Sequence, residues 1–81
     1  MKIPKDISGS KLINALKKFG YSITRQKGSH IRLTFSTQQK THHITIPNHN
    51  PVKIGTLNNI LNDISNFHKI EKTELIKKLF G

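Results

Sequence analysis

The apolar residues near the start of the chain recur at helical spacing. Separations of three and four residues connect Leu12, Ile13, Leu16 and Phe19. Ser8 precedes this run and Gly20 follows it, and these residue types favour the first and last positions of a helix. The pattern therefore predicts a first helix. Its opposite face carries Lys11, Lys17 and Lys18, which we interpret as solvated.

From Tyr21 the period changes from helical to alternating, which is typical of strands. Polar turns separate three alternating stretches, and Pro47 ends the third. We expect a three-stranded antiparallel meander. The residues expected to face the helices are Ile23, Ile31, Leu33, Phe35, Ile44 and Ile46. The residues expected on the opposite face are Arg32, Thr34, His43 and Thr45.

Two more helices are predicted after the strands. Gly55 and Thr56 open a run at helical spacing that contains Leu57, Ile60, Leu61 and Ile64. A shorter helix is predicted from about Lys72 to Phe80, with Glu71 and Glu74 at the end where the helix dipole favours acidic residues.

The predicted order is α-β-β-β-α followed by a short helix. We therefore expect a single α+β domain over residues 1–81, with helices on one face of a three-stranded antiparallel sheet. This is the order of double-stranded RNA-binding domains, although element order alone does not give function.

The amino-acid composition indicates the cellular compartment and excludes chemistry that requires cysteine. The chain has no cysteine, so it has neither a disulfide nor a thiolate metal site, and it fits a reducing cytoplasm. Met1 to Asp6 lack the apolar run of a signal peptide, and no stretch approaches membrane-spanning length. We expect a soluble cytoplasmic protein.

Charge indicates the kind of partner. The formal net charge of +10 comes from 14 Lys and Arg residues against 4 Asp and Glu residues. An excess of this size favours binding to a polyanion such as nucleic acid, and an acidic protein is the alternative. A membrane surface fits less well, because the cations are spread along the chain and do not line one amphipathic helix.

The candidate chemistry is concentrated in the turn between the first two strands. Arg25-Gln26-Lys27-Gly28-Ser29-His30 combines two cations, a glycine, a hydroxyl and a group that titrates near neutrality. These groups suit the gripping or cleavage of a phosphate backbone. The alternative interpretation is a hairpin turn with a solvated histidine.

The other histidines have weaker signals. His42 and His43 are adjacent on one strand and point to opposite faces, so they do not chelate one ion together. We expect His42 to be hydrogen-bonded at the edge of the core, and His43 is a candidate second proton carrier. We interpret His49 as a turn residue rather than an RNA contact, and His68 as a surface residue. Because cysteine is absent and carboxylates are few, we predict no metal site and no cofactor.

Several of these segments together resemble the HicA toxins of bacterial toxin–antitoxin pairs. The resemblance covers Ser8-Gly9, Leu12-Ile13, Gly20-Tyr21, Arg25 to His30, Thr45-Ile46-Pro47, His49, Lys53 to Leu57 and Ile60-Leu61. Lys-Gly-Ser-His between two strands, followed by Gly-Thr-Leu at the opening of the second helix, is a fairly specific pair of signals.

The resemblance implies a double-stranded-RNA-binding-domain-like fold, metal-independent cleavage of messenger RNA, and neutralisation by a HicB-like antitoxin. It implies that His30 is catalytic. Arg25, Lys27, Gly28 and Ser29 correspond to the surrounding turn, and we assign these four residues and Arg32 to RNA binding. Many relatives carry a second histidine directly after the first, but Ile31 occupies that place here. The short third helix is found in only some relatives.

RNA cleavage without a metal requires a base for the 2′-hydroxyl proton, an acid for the leaving 5′-oxygen, and cations that stabilise the phosphorane. His30 can perform either proton transfer, and the amides of Gly28 and Ser29 can help hold the phosphate.

Two other classes of function are also compatible with a basic chain. A non-catalytic RNA-binding module would use the same basic surface, but it requires no histidine at the turn. A helix-turn-helix DNA reader is disfavoured, because three strands separate the two longest helices.

Overall fold

The order of helices and strands agrees with the order predicted from the sequence. The computed structural model describes residues 3–81, so Met1 and Lys2, the start of the stretch assessed for a signal peptide, lie outside the described residues. The elements are α1 (Gly9–Phe19), β1 (Ser22–Lys27), β2 (His30–Ser36), β3 (Thr41–Pro47), α2 (Ile54–His68) and α3 (Lys72–Phe80). The α+β class and the α-β-β-β-α order are confirmed.

The first helix begins and ends at the predicted residues. The Ser8 hydroxyl accepts a hydrogen bond of 3.0 Å from the Lys11 amide, which satisfies one of the free N–H groups of the first turn. Gly20 has a positive φ of 125°, and its N–H donates to the Leu16 carbonyl at 3.1 Å. Between these caps, α1 buries one stripe of apolar side chains against the sheet.

The three strands form an antiparallel sheet in the order β1-β2-β3. Leu33 lies opposite Ile44, and Ile31 lies opposite Ile46. These pairs belong to one buried cluster: Ile7, Leu12, Ile13, Leu16, Tyr21, Ile31, Leu33, Ile44, Ile46, Val52, Leu57, Ile60, Leu61, Ile64 and Leu75. Because side chains alternate along a strand, the residues between them lie on the opposite face, which we call the outer face.

A β-bulge in β1 changes which side chains reach the outer face. Ile23 pairs with Leu33, but Arg25 rather than Thr24 comes next in register, opposite Arg32. Thr24 and Arg25 together therefore oppose one residue of β2, which is how a bulge re-aims side chains. After the bulge, Lys27 lies opposite His30. Arg25 and Lys27 consequently share the outer face with Arg32 and His30.

The prediction that Ile23 lies in the core is wrong. Its register opposite Leu33 places it on the helix side of the sheet, yet its side chain is 45% exposed. β1 is an edge strand with a neighbour on one side only, and all six of its residues are exposed. Facing the correct side of a sheet does not bury a residue on such an edge.

The two later helices complete the layer over the inner face of the sheet. α2 buries the predicted apolar stripe, and Lys69 ends it in the left-handed conformation with a φ of 55°. α3 buries Leu75 and packs against both α1 and α2. No helix in the described part of the chain combines the length and the apolar character needed to cross a membrane.

A polar network crosses the inner layer at the end of α2. The Nδ1 atom of His42 lies 2.7 Å from the Tyr21 hydroxyl, and its Nε2 atom lies 3.2 Å from the Asp63 carboxylate. Because a carboxylate only accepts, Nε2 of His42 carries the proton and Nδ1 accepts from Tyr21. The Tyr21 oxygen then accepts from Nε2 of His68 at 3.0 Å. The expectation for His42, buried and hydrogen-bonded at the core edge, is confirmed.

The expectation that His68 is simply a surface residue is wrong. Its ring is half-buried and lies edge-on to Phe35 and Phe19, at centroid distances of 4.7 Å and 5.1 Å. This burial, and secondarily the nearby His42, lowers the pKa of His68 from its ordinary value. Burial, and secondarily the charge of Asp63, raises the pKa of Tyr21. These partners come from four separate elements, so no local pattern indicates them.

The lowered pKa of His68 gives the fold a pH dependence. The unfolded chain binds this proton more readily than the folded chain, so the stabilisation is complete above the unfolded pKa of about 6.5 and is lost as the pH falls below it. We expect the urea concentration at the midpoint of unfolding to be lower at about pH 5 than at about pH 7.5. His68→Gln keeps an N–H donor for Tyr21, and we expect its midpoint to fall by less over the same pH range. Circular dichroism at both pH values measures this, and equal drops in the two proteins would contradict the assignment.

Candidate functional site

The turn that carries the candidate histidine is a two-residue hairpin loop. Lys27 and His30 are the last paired residues, and Gly28 and Ser29 connect them. Gly28 has a φ of 59°, and a glycine with positive φ at the first loop position is typical of a type II′ turn. A Cβ at Gly28 would meet nothing within 4 Å. Backbone conformation, and not crowding, is therefore the reason for glycine here.

Most of the predicted site residues come together on the outer face. A shallow concavity of about 330 Å³ is lined by Arg25, Lys27, His30, Arg32, His43 and Thr45. Gly28 and Ser29 form the adjoining turn but are not among the lining residues. We call this feature the outer concavity. It unites three cations and two histidines from all three strands.

The residues of the outer concavity lie in three rows that run across the sheet. Lys27 and His30 belong to the first row, and Arg25, Arg32 and Thr45 to the second. His43 belongs to the third row, where it is paired with Thr34, which does not itself line the concavity. Successive rows are two residues apart along a strand, which corresponds to about 7 Å. The first and third rows are thus separated by about 13 Å.

The charges around the outer concavity all have one sign. No acidic side chain of residues 3–81 lines it. Asp63 lies on the inner side of the sheet beside His42, and Glu71 and Glu74 lie at the start of α3. Three cations without a carboxylate among them create a positive potential that attracts anionic groups, such as phosphates or the carboxylates of an acidic protein.

A line of side-chain hydrogen bonds crosses the third row. The hydroxyl oxygens of Thr24 and Thr34 are 2.8 Å apart, and the Thr34 oxygen is 2.8 Å from Nδ1 of His43. Thr24 lies on the outer face because it alternates with Ile23, which faces the helices, and the bulge allows Arg25 to share that face. Sequence reasoning placed Thr34 and His43 on this face and alternated Thr24 with Ile23, but it did not indicate the hydrogen bonds that join the three residues.

The loop after β3 holds the turn against the first helix. The Asn48 amide donates to the Ser29 carbonyl at 2.7 Å, and the Gly9 amide donates to the His49 carbonyl at 2.7 Å. A Cβ at Gly9 would lie 2.6 Å from the Asn48 Cα atom, so only glycine fits. This contact explains physically why glycine opens α1. The His49 side chain is exposed and remains assigned to the loop.

The remaining histidines do not join the outer concavity. His42 and His68 belong to the inner network with Tyr21. Within residues 3–81 the structure brings together no group of three or more His, Asp or Glu side chains placed to hold a metal ion.

The fold and the site define a small α+β protein with a cationic, histidine-bearing sheet face. A family model described as the HicA toxin of bacterial toxin-antitoxin matches residues 9–65, from the first residue of α1 to the last turns of α2. The chain therefore belongs to the HicA toxin family, as the sequence motifs suggested, and membership implies an antitoxin partner. The matched region contains every residue of the outer concavity, whereas α3 lies outside it. No curated protein and no solved structure matches the chain significantly.

Proposed function

We propose that this HicA-family toxin is a metal-independent endoribonuclease that cleaves messenger RNA in the cytoplasm, with His30 as its catalytic residue. The observation that supports this most directly is the outer concavity, where His30 lies among Arg25, Lys27 and Arg32 with no acidic neighbour. The element order shared with double-stranded RNA-binding domains adds support for an RNA substrate.

The proposed reaction is a transesterification. The 2′-oxygen of a ribose attacks the adjacent phosphorus, the bond to the 5′-oxygen breaks, and the products are a 2′,3′-cyclic phosphate and a 5′-hydroxyl. One proton leaves the 2′-hydroxyl and one joins the 5′-oxygen, and His30 performs one of these transfers. Arg25, Lys27 and Arg32, with the amides of Gly28 and Ser29, stabilise the extra negative charge of the phosphorane.

The histidine distinguishes this proposal from a pure RNA-binding module. Binding to a phosphate backbone requires cations and hydroxyls, and the surface has both without His30. The imidazole of His30 at the edge of the positive surface adds a group that can accept or donate a proton.

Replacement of His30 tests the catalytic role. We expect His30→Ala to lower RNA cleavage about 100-fold or more while the fold survives, because the side chain is exposed and its removal opens no cavity. Cleavage of a labelled RNA by purified protein and growth arrest on expression are the measurements.

The matched control is His49→Ala, which removes another exposed histidine outside the outer concavity and should keep wild-type activity. Wild-type cleavage by a folded His30→Ala variant would show that His30 is not catalytic. Tight RNA binding without any cleavage by the unmodified protein would instead support the binding module.

The salt dependence of RNA binding tests whether the cations of the turn contact phosphates. We expect Lys27→Ala and Arg25→Ala each to weaken RNA binding and to reduce the slope of log K against log salt by about 0.7, the value for one phosphate contact on a single strand. Lys77→Ala, on α3 and away from the outer face, removes the same charge and should leave the slope unchanged. If all three variants bind RNA with the same salt dependence, the RNA-binding surface does not include Lys27 or Arg25.

The antitoxin implied by family membership is, in this proposal, a HicB-like protein with acidic groups. A chain with a net charge of +10 and a cationic outer face is complementary to such a partner, and complementary charges also accelerate association. Coverage of the turn from Arg25 to Arg32 would deny RNA access to His30.

Co-expression with the neighbouring reading frame tests the antitoxin. We expect a stable, inactive complex in which the amides of residues 27–32 exchange hydrogen more slowly than in the free protein. A stable complex that retains full RNase activity would contradict inhibition. An inactive complex with this segment unprotected would place the antitoxin at another surface.

A further inference from the structure

His43 is held in one orientation by the hydrogen bonds of the third row. Its Nδ1 atom lies 2.8 Å from the Thr34 oxygen, which lies 2.8 Å from the Thr24 oxygen. The Thr24 hydroxyl in turn faces the Arg32 carbonyl at 3.5 Å, at the long limit of a hydrogen bond.

The direction of this line determines which nitrogen of His43 carries the proton, and only its far end, the Arg32 carbonyl, is fixed as an acceptor. When Thr24 donates to that carbonyl, its own oxygen accepts from Thr34, and the Thr34 oxygen accepts from Nδ1–H of His43. In this arrangement Nε2 carries a lone pair. Since His43 lines the outer concavity, that lone pair is available to a substrate there.

Distance decides between proton transfer and substrate binding. His43 and His30 lie in rows separated by about 13 Å along the strands, whereas side chains on a sheet reach diagonal neighbours at about 7–8 Å. The hydrogen bond to Thr34, the residue directly opposite, also keeps the His43 ring within its own row. The geometry therefore favours a substrate contact away from the bond that His30 acts on.

We propose that His43 is a substrate-binding residue whose Nε2 accepts a hydrogen bond from an RNA nucleotide that lies two rows from His30. This inference rests on the proposed function. The ligand group is a hydrogen-bond donor, and RNA offers two kinds, the 2′-hydroxyl and the N–H groups of the bases. Phosphate oxygens only accept, so an Nε2 atom that carries a lone pair does not bind them. The RNA strand would then follow β2 and β3 across the outer face.

Binding is measured in the inactive His30→Ala background, so that RNA stays intact. We expect His43→Ala to weaken the binding of a fluorescent RNA oligonucleotide about 3- to 10-fold, the range for one neutral hydrogen bond. Thr34→Val should weaken RNA binding by part of this factor, because Thr34 acts by positioning His43. Thr34→Ser keeps the hydroxyl and should bind RNA as tightly as the protein with Thr34. Thr41→Ala, on the same strand but outside the concavity, is the matched control and should bind normally.

RNAs with single substitutions identify which RNA group donates the hydrogen bond to His43. Single 2′-deoxy and single abasic positions are scanned along the oligonucleotide. At one position the substitution should weaken binding by the His43 protein and have no further effect on the His43→Ala variant. Coupling to a deoxy position indicates the 2′-hydroxyl, and coupling to an abasic position alone indicates a base N–H.

Three results would overturn the inference. The first is that His43→Ala binds RNA as tightly as the protein with His43, and the second is that the effect of His43→Ala adds to that of the RNA substitution at every position. The third is a weaker salt dependence of RNA binding in His43→Ala, which indicates a phosphate contact. A different result would refute the proposed function, namely that the unmodified protein neither cleaves nor binds RNA.

Discussion

One extra residue in β1 determines where the cations of this protein point. Ile23 lies on the helix side of the sheet, so strict alternation would also turn Arg25 toward the helices. On this exposed edge strand such an orientation would leave Arg25 hydrated but on the opposite side of the sheet from Arg32 and His30. The bulge at Thr24 places Arg25 and Lys27 beside Arg32 and His30. Strand register, more than the amount of charge, builds the outer concavity.

The same arrangement places like charges close together. Arg25 and Arg32 are directly opposite each other, and like charges in that position destabilise a pair of strands. The compensation comes from the inner face, where a continuous apolar cluster and the network around Tyr21 hold the sheet. A polyanion or an acidic protein bound to the outer face would relieve this repulsion and so stabilise the fold.

Local patterns predicted the helices, the strands and the turn, because caps, periodicity and a Gly-Ser connection act over a few residues. They placed Arg32, Thr34, His43 and Thr45 on one face, as the register shows. They failed where distant segments decide the outcome. The bulge is a property of strand pairing, and the exposure of Ile23 reflects an edge position. The burial of His68 depends on Phe19 and Phe35, which come from two other elements.

The close contact between Gly9 and Asn48 links the candidate site to the first helix. Asn48 also holds the carbonyl of Ser29, so the hairpin turn, the loop after β3 and the opening of α1 form one connected unit. Segments connected in this way tend to open together rather than one at a time. The turn therefore shares the local stability of a packed helix end, and His30 is presented on a rigid corner of the molecule although every side chain of the turn is exposed to solvent.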